Sequence, residues 1–104
     1  MRKINQDDHV VVLSGRDKGK RGDVIAVRSD GRLIVAGINT VKKHKRGDPN
    51  NNEPGGILTQ EAPIDASNVA IWNDEEESSD KVGIRLEGGK KVRYYKSTGK
   101  LIEA

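Results

Sequence analysis

The stretch KVGIRLEGGKKVRYY (81–95) alternates apolar and polar residues, and only the pair Gly88-Gly89 interrupts it. Val82, Ile84 and Leu86 interleave with Lys81, Gly83, Arg85 and Glu87. Past the glycines, Lys90, Val92 and Tyr94 interleave with Lys91, Arg93 and Tyr95. Successive side chains on a strand point to opposite faces, so a period of two dictates extended chain rather than helix. Two adjacent glycines supply the backbone freedom of a two-residue turn. The segment therefore reads as a β-hairpin over about 81–96, with one apolar and one cationic face.

The rest of the chain obeys the same grammar. HVVVL (9–13) and DVIAV (23–27) are β-branched runs on either side of a glycine-rich stretch. RSDGR (28–32) places Asp30-Gly31 between apolar runs, a hairpin signal, and LIVAGI (33–38) follows as the next strand. No stretch of about twelve residues carries a 3.6-residue apolar period, so no long helix is expected. DASNVAI (65–71) has room for one short turn, capped by Asp65 or Ser67, before a final strand. KRGDPNNNEPGGI (45–57) is nearly devoid of apolar residues and reads as a projecting loop, and NDEEESSD (73–80) as an acidic surface loop. Five or six short strands in 104 residues predict an all-β single domain. Its expected form is a small barrel with its core in about 7–40 plus 57–72, the projecting loop, and the C-terminal hairpin extension. Leu, Ile and Val number 24 and Phe is absent, so the core is small and its loops gain from a partner that orders them.

Charge is segregated along the chain. Residues 1–46 hold 12 Lys/Arg against 5 Asp/Glu, residues 47–80 hold none against 9, and residues 81–104 hold 7 against 2. A basic–acidic–basic order suits one face for a polyanion and an acidic excursion kept away from it. Cysteine is absent, which removes disulfides and thiolate metal sites. The first ten residues contain no apolar run of the kind a secretory signal needs, and Val10–Leu13 is too short to cross a membrane. A cytoplasmic protein with no membrane partner is expected.

Catalytic and metal chemistry find no footing. Gly15, Gly19 and Lys20 stand as Gly-x-x-x-Gly-Lys, one residue shorter than a P-loop, and Arg21 occupies the place of the magnesium-binding hydroxyl. His9 and His44 are 35 residues apart with no ligand-like neighbours. No nucleophile elbow occurs, and the paired carboxylates Asp7-Asp8 and Asp74–Glu77 fall in loops and ends. No enzyme, no cofactor and no metal are expected.

What remains is SGRDKGKRGDV (14–24), the densest basic cluster, set on a glycine-broken turn. Gly15, Gly19 and Gly22 admit backbone conformations and close approaches that a Cβ would block. Exposed backbone N–H groups of Ser14 to Arg21 can then meet phosphate oxygens while Arg16, Lys18, Lys20 and Arg21 reach others. Asp17 and Asp23 are expected to bond locally instead of facing phosphate. Three aromatics are too few for base stacking, so folded RNA held through phosphates and 2′-hydroxyls fits better than a single strand. The contact set expected on these grounds is Arg2 and Lys3 in a mobile arm, then Ser14, Gly15, Arg16, Lys18, Gly19, Lys20 and Arg21. To these are added Lys42, Lys43, His44, Lys45 and Arg46, with Lys90, Lys91 and Arg93 behind them.

DDHVVVLSGRDKGKRGDVIAV resembles the KOW motif, in which paired strands flank Gly-x-x-Lys-Gly-x-x-Gly. GINTVKKHKR (37–46), EPGGI (53–57), SNVAIWN (67–73) and KVGIRLEGGKKVRYYKSTGKLI (81–102) follow in order, so nearly the whole chain resembles the KOW-domain family of the bacterial large (50S) ribosomal subunit. The resemblance implies an SH3-like (KOW) barrel with a C-terminal extension. It implies direct binding to large-subunit (23S) rRNA near its 5′ end, nucleation of early subunit assembly, and a place beside the peptide exit tunnel with loop 45–57 near the opening. Partners would be that rRNA and neighbouring large-subunit ribosomal proteins, with the chain a monomer within the ribosome. NDEEESSD is more acidic than the family pattern and is expected to face solvent. The competing readings are a KOW-type transcription or translation factor that docks to protein and a peptide-binding SH3-like module. The first needs an apolar docking patch and the second an aromatic groove.

Overall fold

The computed structural model describes residues 2–45, 47 and 55–102. Among these, nine strands and one 3-10 turn make up the regular structure: β1 His9–Val12, β2 Arg21–Val27, β3 Leu33–Val35, β4 Thr40–Lys45, β5 Gly56–Glu61, the 3-10 turn Ala66–Asn68, β6 Val69–Asn73, β7 Ser78–Asp80, β8 Val82–Glu87 and β9 Lys90–Tyr95. The all-β class holds. The central sheet runs β3-β2-β1-β6-β7, with all neighbours antiparallel, while β4–β5 and β8–β9 form separate two-stranded ribbons.

The three consecutive valines of HVVV occupy the middle strand. Val10 and Val12 point into a core with Val24, Leu33, Val35, Ile38 and Val69. Burying one such side chain contributes roughly 1.5–3 kcal/mol over leaving it in water, so this short list is the principal source of stability. A second cluster, Ile71, Val82 and Ile102, lies beneath the C-terminal hairpin, and Ile4 packs on both. The sheet curls without closing: β3 and β7 remain its edges, and Leu33 meets Ile64 only in an isolated bridge. The barrel is thus an open SH3-like one. The anticipated turn over DASNVAI is the 3-10 turn. Asp65 stands at its N-cap by backbone, but its carboxylate lies 3.6 Å from Arg32 and caps nothing.

Three expectations are corrected by the strand register. In the C-terminal hairpin Glu87 pairs Lys90, Ile84 pairs Arg93 and Val82 pairs Tyr95. A two-residue turn at Gly88-Gly89, both with positive φ, pairs even positions with odd ones. The apolar residues Val82, Ile84 and Leu86 therefore share a face with Arg93 and Lys91, not with Val92 and Tyr94, and neither face is wholly apolar or cationic. Leu86 is left 69% exposed. Next, TVKKHK is a strand, and its pairing reaches Lys45↔Gly56, so both ends of the expected 45–57 loop belong to a ribbon. Last, NDEEESSD is more than a solvated loop. Asp74–Glu77 form an exposed turn, but Ser78–Asp80 pair with β6 and Asp80 is buried.

Asp80 is a structural node. Its carboxylate accepts hydrogen bonds from Ser97 Oγ (2.5 Å), Ser97 N (3.2 Å), Lys81 N (2.8 Å) and Asn73 Nδ2 (3.2 Å), joining β6, β7 and the turn after β9. Burial alone would raise its pKa. The donors from Ser97, Asn73 and Lys81 outweigh burial and hold it below the ordinary Asp value. A depressed folded-state pKa stabilises above the unfolded value of about 3.9 and is lost as pH falls through the folded one. Thermal melting should accordingly hold steady above pH about 5 and fall below about 4. Asp80→Asn should cost about 1–3 kcal/mol at neutral pH, through donors left without an acceptor, and should flatten that acid limb in a pH series of melting curves.

Candidate nucleic-acid interface

The glycine-rich stretch is a closed loop between β1 and β2. Val12 N donates to Lys20 O and Gly19 N to Val12 O, both at 2.9 Å, which pins its base. Inside it, Lys18 N reaches Gly15 O at 3.2 Å and Lys20 N reaches Asp17 O at 2.9 Å. These tight turns require left-handed backbone, which Gly15 (φ +90°) and Gly19 (φ +88°) adopt in open space. Gly22 has a different task. A Cβ there would come within 2.5 Å of the Ala36 carbonyl oxygen, so it permits the close approach of β2 to the chain leaving β3.

The loop folds onto the root of the β4–β5 ribbon. Arg16 Nη2 donates to Thr40 O at 2.5 Å. Asp17 accepts Asn39 N at 2.7 Å through one oxygen and lies 3.1 Å from Lys20 Nζ through the other. The Asn39 N–H, seconded by Lys20, lowers the Asp17 pKa below the ordinary Asp value. Asp17 thus bonds inward as expected, though its strongest partner is remote in sequence. Asp23 faces His9 Nδ1 at 2.8 Å.

The result is a shallow groove walled by Arg16, Asp17, Lys20, Thr40, Val41, Lys42 and Thr59, with Asp17 tied to Asn39 and Lys20. It draws together two separate basic segments of the expected set, 14–21 and 42–46. Lys18, on the same loop, is exposed, with no side-chain hydrogen bond or ion pair among the described residues. His44 shares the Lys42 face of the ribbon, and Lys43 lies on the other face. Lys45 occupies the last paired position of β4, and Arg46 lies outside the described residues.

Other members of the expected set stand elsewhere. Ser14 Oγ donates to Asn68 Oδ1 at 3.3 Å, and Arg21 lies over the Trp72 ring at 4.2 Å, on the outside of the sheet. Lys90 and Lys91 flank the tip of the C-terminal hairpin on opposite faces, exposed. Arg2 and Lys3 do not form a loose arm. Arg2 Nη1 donates to Arg28 O, Lys3 O accepts from Arg93, and Ile4 is packed into both cores.

Arg93 is the clearest correction. It is 8% exposed, and its guanidinium grips Asp8 at 2.6 and 3.1 Å and Lys3 O at 2.9 Å, so no face of it is left for phosphate. What the sequence reading missed is Asn39 and the main chain of Thr40. Gly37 (φ +71°) and Asn39 (φ +53°) are left-handed, and GIN carries that turn chemistry, but nothing local says that Asp17 is its partner.

Small all-β body, projecting ribbons, and cations on glycine-shaped turns: this is the form of a KOW-type, SH3-like binding module, with its chemistry on loops. Residues 38–102 match the family described as Large ribosomal subunit protein uL24, C-terminal domain. The chain is 55% identical over 102 residues to the uL24 protein of Alcanivorax borkumensis, covering 98% of this chain and 100% of that one. It is 56% identical over 101 residues to that of Pseudoalteromonas translucida (96% and 97% covered) and 49% over 104 to that of Pseudomonas fluorescens SBW25 (100% of both). The chain belongs to the uL24 family of large ribosomal subunit proteins. Its members are structural components rather than enzymes, and they reside on the ribosome in the bacterial cytoplasm.

Because Arg93 is structural, Arg93→Ala should destabilise the fold by about 3–5 kcal/mol, as expected when a nearly buried charge loses its partner. Lys91→Ala, two residues away on the same strand and exposed, should change stability by less than about 0.5 kcal/mol. Urea unfolding of the two variants checks this.

Proposed function

We propose that the chain is an rRNA-binding constituent of the large ribosomal subunit, and that the groove between the glycine loop and the ribbon root is its principal RNA contact. The observation that carries this reading is the convergence of Arg16, Lys20 and Lys42 on one groove, with Lys18 on the same loop, from segments more than twenty residues apart. Each side chain offers cationic donors to phosphate oxygens, and the left-handed Gly15 and Gly19 keep the loop's backbone slim enough for a strand to lie against it. Rigid cations on turns hold folded RNA by its shape and backbone. Family membership and the KOW resemblance extend the reading to the 5′ region of 23S rRNA, to early subunit assembly, and to a position beside the peptide exit tunnel.

The relevant test is binding to a 5′-terminal large-subunit rRNA fragment across a salt series, with an unrelated duplex of equal length as control. The fragment should be preferred by orders of magnitude, and the preference should persist as salt rises. Replacing Lys18, Lys20 and Lys42 together by Ala should lower the slope of log affinity against log salt by about 2 to 3, from roughly 0.7–0.9 per lost phosphate contact. Equal binding of both RNAs, or an unchanged slope, would place the RNA face elsewhere.

A further inference from the structure

We infer that Asp17, an acid in the middle of the basic loop, is a positioning residue for RNA binding: it sets the direction of the β4–β5 ribbon relative to the body. This rests on the RNA reading above. The ribbon's strands pack on each other and hardly at all on the sheet, so its direction is decided at its root. At that root Asp17 Oδ2 accepts Asn39 N at 2.7 Å, one residue before β4 begins, and Oδ1 holds Lys20. Asn39 is itself left-handed (φ +53°), and its side-chain amide donates to Pro63 O at 3.0 Å, beyond the end of β5. Arg16 bonds the carbonyl of Thr40, the first residue of β4.

These contacts meet at one point and involve both strands of the ribbon. Asp17 bonds at once within the loop, to Lys20, and to the ribbon root, at Asn39, and Arg16 is the loop's second contact with that root. Asp17 lines the groove, but its side chain is only 12% exposed and both carboxylate oxygens are bonded at the junction, to Asn39 N and Lys20 Nζ. Lys20, on the loop, and Lys42, on the ribbon, both line the groove, so their separation follows the ribbon's direction.

The sign of the effect makes this testable. If Asp17 were merely a negative charge near a polyanion, its removal would strengthen RNA binding. A positioning role demands the reverse. Should loss of the clamp leave the bound direction populated about one-tenth of the time, apparent affinity falls about tenfold. The experiment compares wild type, Asp17→Ala, Asp17→Asn and Asp23→Ala on the 5′-terminal fragment and the control duplex, with melting curves for each. Asp23→Ala adds the same charge without touching the junction, and should bind as tightly as wild type or more so. Asp17→Ala should bind the fragment about tenfold more weakly. Asp17→Asn can still accept the Asn39 N–H but loses the Lys20 ion pair, so it should fall between and serves as the informative variant if Asp17→Ala does not fold.

The chain has no cysteine, so spin labels on Leu58→Cys in the ribbon and Ser29→Cys in the β2–β3 turn report ribbon direction without RNA. Their distance distribution should broaden in either Asp17 variant. Asp17 variants that bind the fragment as well as wild type, with an unchanged distribution, overturn the positioning role and leave the RNA reading standing. Wild type that fails to prefer the fragment overturns the RNA reading, and the label distances then decide the junction alone.

Discussion

The two halves of this molecule are held as one by a clasp between residues 85 positions apart. Arg93, on the last strand, forks onto the Asp8 carboxylate at 2.6 and 3.1 Å, and Asn5 N donates to the same carboxylate at 2.7 Å. The backbone of Asp7 and Asp8 exchanges hydrogen bonds with Val24 in the central sheet. One ion pair therefore connects the C-terminal hairpin to the N-terminal segment and, through it, to β2. It also fixes where Ile4 sits, and Ile4 is the apolar residue common to both cores. The second core has only Ile71, Val82 and Ile102 fully buried, too few to hold a projecting hairpin by area alone. A buried pair gains little net energy over an apolar substitute, but once built its loss strands a charge. The clasp is best understood as what makes the hairpin's position unique.

Strand positions were legible from the period-two pattern, and turns from glycine. Gly31, Gly88 and Gly89 all have positive φ where the sequence reading places turns, and HVVV is the middle strand of the sheet. Local rules reach that far because backbone conformation at a turn is decided within a few residues. The faces of the C-terminal hairpin were misjudged even though the information was present: a two-residue turn fixes which positions pair, and parity alone sends Val92 across from Arg85. Register had to be followed through the turn.

The misreadings at Arg93, Arg2–Lys3 and Asp80 have another origin. Each is a charged or flexible-looking residue fixed by a partner distant along the chain: Asp8 for buried Arg93, Arg28 for exposed Arg2, Ser97 for buried Asp80. Composition labels Arg93 and Asp80 as surface, and only tertiary pairing makes their burial tolerable. The groove was half legible for the same reason. Its cations were identified in two separate segments, while the contact that unites them, Asp17 with Asn39, spans 22 residues and involves a main-chain N–H.

The same topology disposes of an apparent conflict in the charge pattern. On the RNA reading proposed above, an acidic turn beside the groove would be self-defeating. β1 runs from His9 toward the glycine loop, and β6 is antiparallel to it, with Val12 opposite Val69 and Val10 opposite Ile71. The turn Asp74–Glu77 follows β6 and so leaves the sheet at the end away from that loop. Five residues of β6 span roughly 13–16 Å at about 3.3 Å per residue. That exceeds the screening length of about 8 Å at physiological salt, so the acids of this turn do not neutralise the groove. At longer range they give the molecule a polarity that a net charge of +3 conceals. The basic cluster sits on a glycine-broken turn because a turn at a strand end is a place where a β-sheet protein can gather cations from separate segments. Asp74–Glu77 occupy a turn at the other end by the same geometry.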